Sequence, residues 1–193
     1  RPSAELLLAL VYVDQGLLPL ARTQLEKIET SALSPREAAQ RDLALAYVLL
    51  SDQRGAVDLE EAQRLLVLAS EDSSIVGEQA LLYLGSVAWA RGDIQEARSI
   101  FSRTDYSPEL ATEAAYQLTL LSFSTEDAAT AQRRASELQR TYPEMASRAS
   151  LKSVIGQSYY AAGDYQQAIQ TLQPLQELDD YRPTAEECYA LGT

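Results

Sequence analysis

The chain has 193 residues, 46% of them hydrophobic, and its 28 carboxylates against 16 basic side chains give a formal charge of −12. That balance opposes nucleic-acid binding, which draws its affinity from a basic footprint, and no apolar run approaches the roughly 18 residues that a membrane-spanning helix needs. The absence of histidine removes imidazole catalysis and His metal sites, and the single cysteine, Cys188, can form neither an internal disulfide nor a thiolate zinc site.

Amphipathic segments follow one another in pairs. The spacing of apolar residues predicts helices at about 3–15 and 18–30, then 35–50 and 59–70, 75–91 and 94–103, 108–123 and 126–141, and 145–162 and 165–178. A last segment at about 183–193 has the pattern of another first helix. No stretch shows the sustained alternation of a strand. Gly16, Gly92 and Gly163 each follow a first helix, where a left-handed residue ends a helix at little cost. Asp93 to Glu96 and Asp164 to Gln167 have capping-box spacing, and Ser34-Pro35 and Ser107-Pro108 open two more helices. The second pair differs, with Ser51 to Asp58 read as a longer turn and Asp58 to Glu61 as the start of its second helix.

Within the second helices Ala21, Ala62, Ala97, Ala131 and Ala168 recur at intervals of 41, 35, 34 and 37 residues. A small residue at a helix crossing with a period of about 34 is the mark of a helical-hairpin repeat. Leu81, Leu84-Gly85, Gly92-Asp93, Ala97 and Phe101, and again Ile155-Gly156, Tyr159, Gly163-Asp164-Tyr165, Ala168 and Leu172, stand at the spacings of the tetratricopeptide repeat family, which the chain resembles. Leu8-Ala9, Tyr12, Gly16, Ala21 and Leu25 repeat the pattern more weakly. The fourth hairpin departs from it, with Thr119 for Gly, Glu126 for the turn Gly and Ala135 for the aromatic. The stretch from Tyr142-Pro143 to Ala168-Ile169 is also similar to repeats of bacterial cell-envelope proteins.

The resemblance implies an all-α, right-handed α-solenoid of five hairpins (about 3–30, 35–70, 75–103, 108–141 and 145–178) plus a terminal helix at 183–193, forming one array over 1–193. Ala97 and Ala168 are expected to be buried against Gly85 and Gly156. Beginning at Arg1-Pro2, the chain reads as part of a longer protein, and an apolar C-terminal end around Cys188, Tyr189 and Leu191 is expected to support self-association.

Chemistry is hard to find. No Gly-rich phosphate loop occurs, and Lys27 and Lys152 lie inside helical patterns. Carboxylate pairs such as Glu60-Glu61, Asp179-Asp180 and Glu186-Glu187 are adjacent in sequence, and adjacent helical residues do not face each other. No enzyme activity, cofactor or metal is expected. Arg133, Arg134, Arg140, Arg148 and Lys152 form a locally basic stretch, read mainly as solvated surface.

In tetratricopeptide arrays the first helices line a concave face. The family register points Leu6, Leu10 and Val13, then Arg41, Leu45 and Val48, then Leu82, Ser86 and Trp89 toward it, followed by Tyr116, Leu120 and Phe123, then Ser153, Gln157 and Tyr160, and Tyr189. This surface is apolar and aromatic. Family members that hold acidic chaperone tails use a basic clamp there, to which only Arg41 could contribute, so that ligand is rejected. The function expected from the resemblance is a non-enzymatic protein-interaction scaffold whose groove holds a peptide or partner helix, anchored by Trp89, Tyr116, Phe123 and Tyr160. The alternative is a structural spacer or homo-oligomerising segment of a bacterial envelope assembly, with the aromatics serving as packing. Neither reading involves nucleic acid or direct membrane insertion, and the envelope or periplasm is slightly favoured as the location.

Overall fold

The computed structural model describes residues 2–52, 56–125, 128–144 and 148–177. Among them the chain is helical, with no strand. The helices are α1 (Pro2–Asp14), α2 (Leu18–Lys27), α3 (Pro35–Asp52), α4 (Ala56–Ala69), α5 (Ile75–Arg91), α6 (Ile94–Phe101), α7 (Pro108–Thr125), α8 (Ala128–Thr141), α9 (Ala149–Ala161) and α10 (Tyr165–Leu172), and a 3-10 turn (Gln173–Glu177) follows the last. They fall into two compact units, residues 1–110 and 111–193. The expected helix at 183–193, with Cys188, Tyr189 and Leu191, lies outside the described residues.

In the first unit α1 pairs with α2, α3 with α4 and α5 with α6, and each first helix also packs on the first helix of the next pair. One apolar cluster runs through all three pairs, from Leu6 and Ala9 through Ala46, Val48, Leu65 and Leu66 to Ala80 and Val87. In the second unit Tyr116 of α7, Ala135 and Leu138 of α8, and Leu151 and Ile155 of α9 share a core. Leu172 and Leu175 close α10 and the 3-10 turn against α9.

The same turn chemistry recurs in both units. After α1 the Leu17 amide donates to the Tyr12 carbonyl and Gly16 to Val13; after α5 Asp93 donates to Ala88 and Gly92 to Trp89; after α9 Asp164 donates to Tyr159 and Gly163 to Tyr160. This pair of bonds satisfies carbonyls that a helix end leaves open, and it needs a left-handed residue. Gly92 (φ 85°) and Gly163 (φ 81°) supply it without the Cβ penalty that other residues incur.

The helix starts follow the sequence reading unevenly. Ser34 and Glu37 form a complete capping box: the Ser34 amide and hydroxyl donate to Glu37 Oε2 at 2.9 and 2.7 Å, and the Glu37 amide returns to Ser34 Oγ at 3.4 Å. Asp164 accepts from the Gln167 amide at 3.2 Å, whereas the Asp93 side chain caps nothing. Of the longer turn expected from Ser51 to Asp58, both ends are helical, since α3 continues to Asp52 and α4 already starts at Ala56, and residues 53–55 lie outside the described residues. Asp58 is therefore inside α4, where its carboxylate accepts from Arg22 of α2 at 3.3 Å instead of capping a helix.

Ala21, Ala62, Ala97, Ala131 and Ala168 are all fully buried. The atoms that demand glycine opposite Ala97 and Ala168 are nevertheless not the alanines. A Cβ at Gly85 would meet the ring of Phe101, and one at Gly156 would meet the side chain of Leu172. The large residue four positions after each alanine occupies the space that the glycine vacates.

Candidate partner-binding site

In the first unit the first helices of three successive hairpins line a cleft of about 470 Å³. Leu10, Val13 and Asp14 come from α1, Gln40, Leu43, Ala44 and Tyr47 from α3, and Val76, Gln79 and Tyr83 from α5. The Tyr47 and Tyr83 rings meet with centroids 6.0 Å apart at 55°, a tilted arrangement that aromatic pairs favour. Leu10, Val13, Leu43, Tyr47 and Tyr83 are half-buried against the core, so each is fixed on one side and open on the other. Asp14 is the one carboxylate in the lining, and no basic side chain lines the cleft.

The register of α3 explains why the sequence reading places other residues here. Leu10 follows the buried Ala9 by one position, and Gln79 precedes the buried Gly85 by six. In α3 the matching small residue is Ala46, fully buried, which puts Tyr47 one position after it, Leu43 three before and Gln40 six before. The expected set Arg41, Leu45 and Val48 corresponds instead to Ala44 as the small residue. A shift of two positions turns a helix by about 200° and carries that set to the opposite face. Leu45 and Val48 are accordingly buried in the core. Arg41 lies between helices, its Nε donating to the Leu25 carbonyl at the end of α2 at 3.1 Å and its Nη1 pairing with the buried Asp42 at 2.8 Å.

The remaining expected residues divide by position. Leu6, Leu82 and Tyr116 each stand three before the small residue of their helix, and all three are buried. Tyr116 belongs to the core of the second unit, with the Arg148 guanidinium 5.1 Å from its ring centroid. Arg148 in turn pairs with Glu113 at 3.0 Å. Leu120 packs against the same core. Phe123 and Ser153 are half-buried. Gln157 donates to the Ser153 hydroxyl at 3.1 Å. Tyr160 packs on the Leu172 and Leu175 cluster and tilts against Tyr165, 5.5 Å between centroids. In the first unit Ser86 and Trp89 are half-buried and do not line the cleft. Tyr189 lies outside the described residues. Sequence reasoning missed Gln40, Leu43, Tyr47, Gln79 and Tyr83; counting from Ala46 in place of Ala44 would have found Leu43 and Tyr47, while Gln40 and Gln79, six positions before the small residue, fall outside the register used.

The described residues contain no cluster of His, Cys, Asp and Glu able to hold a metal, and no helix long and apolar enough to cross a membrane. Paired first and second helices, a small residue at each crossing and a cleft made by successive first helices define a helical-repeat protein. The tetratricopeptide repeat family model matches residues 79–104 and 155–178, so the α5–α6 and α9–α10 hairpins are tetratricopeptide repeats.

Solved structures show the same fold along the chain. PilF of Pseudomonas aeruginosa superposes with a TM-score of 0.74 at 19% identity, covering 98% of this chain and 80% of that one. MamA of MSR-1 gives 0.63 at 14% identity, covering 93% and 97%. The nearly identical TPR-like repeats of a Podosopora anserina protein assigned as a kinesin light chain give 0.63 at 18% identity, covering 100% and 99%. These likenesses establish an α-solenoid of tetratricopeptide-type hairpins. No curated protein sequence matches the chain significantly.

Proposed function

We propose that this chain is a non-enzymatic interaction scaffold that holds a peptide segment of a partner protein in the cleft formed by α1, α3 and α5. Tetratricopeptide repeats generally mediate protein–protein interaction, a role that needs a shaped surface and no reacting groups. The observation that carries the reading is the open, half-buried apolar lining around the Tyr47–Tyr83 pair. Side chains already fixed on one side lose little entropy when a partner covers the other, and aromatic anchors dominate interface energies. The volume of about 470 Å³ lies in the range that ligand clefts occupy and accommodates a few side chains, not a whole domain. The reading moves the anchors from Trp89, Tyr116, Phe123 and Tyr160 to Leu10, Leu43, Tyr47 and Tyr83.

Selection of displayed random dodecapeptides on the chain, with the Tyr47→Ala/Tyr83→Ala variant as the counter-target, tests this. Sequences should enrich on the wild-type chain and bind the double variant at least about tenfold more weakly, as expected for loss of anchor residues. Enrichment indifferent to the double substitution, or none at all, contradicts the proposal.

The alternative of a self-associating spacer in an envelope assembly draws on a different face. Leu7, Leu8 and Val11 on α1, Leu17 in the turn that follows and Leu20 on α2 are exposed, Leu7 by 65%. Apolar patches rimmed by polar residues often mark association surfaces. Sedimentation velocity across a hundredfold range of concentration distinguishes the two, since a spacer that self-associates must show a concentration-dependent increase in mass.

A further inference from the structure

The cleft also carries information about what its occupant looks like. Asp14 is the last residue of α1, and no basic side chain sits in the last turn of that helix. A carboxylate there faces the negative end of the helix dipole, an arrangement that costs stability when nothing compensates it. Among the described residues the Asp14 carboxylate has no hydrogen-bond or ion-pair partner, although the first unit pairs Arg22, Arg41, Arg64 and Arg103 with carboxylates of their own. Asp14 therefore adds an uncompensated negative charge to the mouth of a cleft whose other lining residues are neutral. The field of the whole chain, with its formal charge of −12, has the same sign.

Two further groups bear on the occupant's backbone. Gln40 and Gln79 occupy the same place in successive first helices, six positions before Ala46 and Gly85, and both line the cleft. Neither primary amide has a hydrogen-bond partner among the described residues. An α-helix keeps its main-chain groups bonded to one another, so a docked helix would leave these amides unanswered except at its ends. An extended segment presents free N–H and C=O groups along its length, and each glutamine can both donate to and accept from such groups.

We infer that the cleft takes an extended peptide segment with an apolar side chain seated on Leu10, Leu43, Tyr47 and Tyr83 and a Lys or Arg next to it paired with Asp14. The inference rests on the binding role proposed above and adds the charge and backbone form of the occupant. The neutral lining leaves a partner's carboxylate without a cation to meet, and Asp14 repels it, so acidic segments are disfavoured.

The dodecapeptide selection, repeated on wild-type chain and on Asp14→Asn, reads the inference separately from the binding role. Sequences enriched on the wild type should combine an aliphatic or aromatic residue with a nearby Lys or Arg. For the best synthetic peptide, Asp14→Asn should weaken binding about three- to fivefold, the range of a partly exposed ion pair. Replacing the peptide's basic residue by Gln should produce the same loss on the wild type and almost none on Asp14→Asn, since the two changes remove one interaction. A hydrocarbon staple that enforces helix should weaken the peptide at least tenfold. Enrichment that depends on Tyr47 and Tyr83 but shows no basic preference, additive losses in the cycle, or tighter binding on stapling overturns this inference and leaves the cleft as a binding site. Enrichment independent of Tyr47 and Tyr83 overturns both.

Discussion

A Cβ placed on Gly85 would lie 2.5 Å from Cε1 of Phe101, closer than real side chains approach. Phe101 is itself buried, at 2% exposure, so its ring has no free space to retreat into. The α5–α6 crossing is thus set by an absent methyl group meeting an aromatic ring, with Ala97 packed one turn away. Gly85→Ala should destabilise the chain by about 1–3 kcal/mol, the usual cost of overpacking. Gly92→Ala has open space around its Cβ but a φ of 85°, and its cost should come from backbone strain alone, about 1 kcal/mol. Urea unfolding of both variants measures these losses; a Gly85→Ala variant as stable as the wild type would contradict the steric account of Gly85.

Arg41 should behave as a structural residue. It bridges the Leu25 carbonyl and Asp42, and the two charged side chains are only 13% and 10% exposed. Arg41→Ala leaves the Asp42 carboxylate buried without its partner, which should cost about 3 kcal/mol in urea unfolding. Peptide binding measured well below the unfolding transition should be unchanged, because Arg41 does not line the cleft.

Tyr116 should likewise report on the core of the second unit. Tyr116→Ala removes a ring that packs with Ala135, Leu138, Leu151 and Ile155, and a loss of about 3 kcal/mol or more is expected from comparable aromatic truncations. A fully stable variant with impaired peptide binding would return Tyr116 to the role that the sequence register assigns it.

Two pH effects follow, one from burial and one from hydrogen bonds. Burial pushes the Tyr106 phenol up to about 12, its hydroxyl donating to the Ile100 carbonyl at 3.2 Å. The folded state then holds this proton more tightly than the unfolded chain, so the contribution is complete below about pH 10 and is lost as pH rises toward 12. Absorbance titration of Tyr106→Phe should lack a tyrosinate step near pH 12 that the wild type shows. At the acid end the Ser74 hydroxyl and amide hold Asp72 below the usual carboxylate range, and the Ser34 hydroxyl and amide do the same for Glu37. Their contributions are present above about pH 4 and lost as pH falls through the lowered values. The urea midpoint should therefore fall on acidification below pH 4, less so in a Ser34→Ala/Ser74→Ala variant.

Much of the fold was legible because its signals are local. The glycines at 16, 92 and 163 mark helix ends through φ, and the recurring alanines mark crossings through size. The cleft was less legible because groove positions depend on the register of each first helix, and α3 offers two small residues, Ala44 and Ala46, two positions apart. With no Leu-Gly pair in α3, composition did not choose between them; in the structure Ala46 is fully buried while Ala44 lines the cleft. The buried state of Leu6, Leu82 and Tyr116 was also beyond a single-hairpin reading, since burial at those positions depends on how whole hairpins stack. Asp14 drew no attention in the sequence because nothing there shows whether a carboxylate has a partner.

The placement of the binding site is tested most directly by the tyrosine rings, of which the chain has eleven. With ¹³C-labelled tyrosine and Tyr→Phe variants for assignment, ring resonances are followed by NMR as a selected peptide is titrated in. The account predicts that Tyr47 and Tyr83 shift with the binding isotherm while Tyr116 and Tyr160 stay in place. Shifts at Tyr116 and Tyr160 with Tyr47 and Tyr83 unmoved would contradict it.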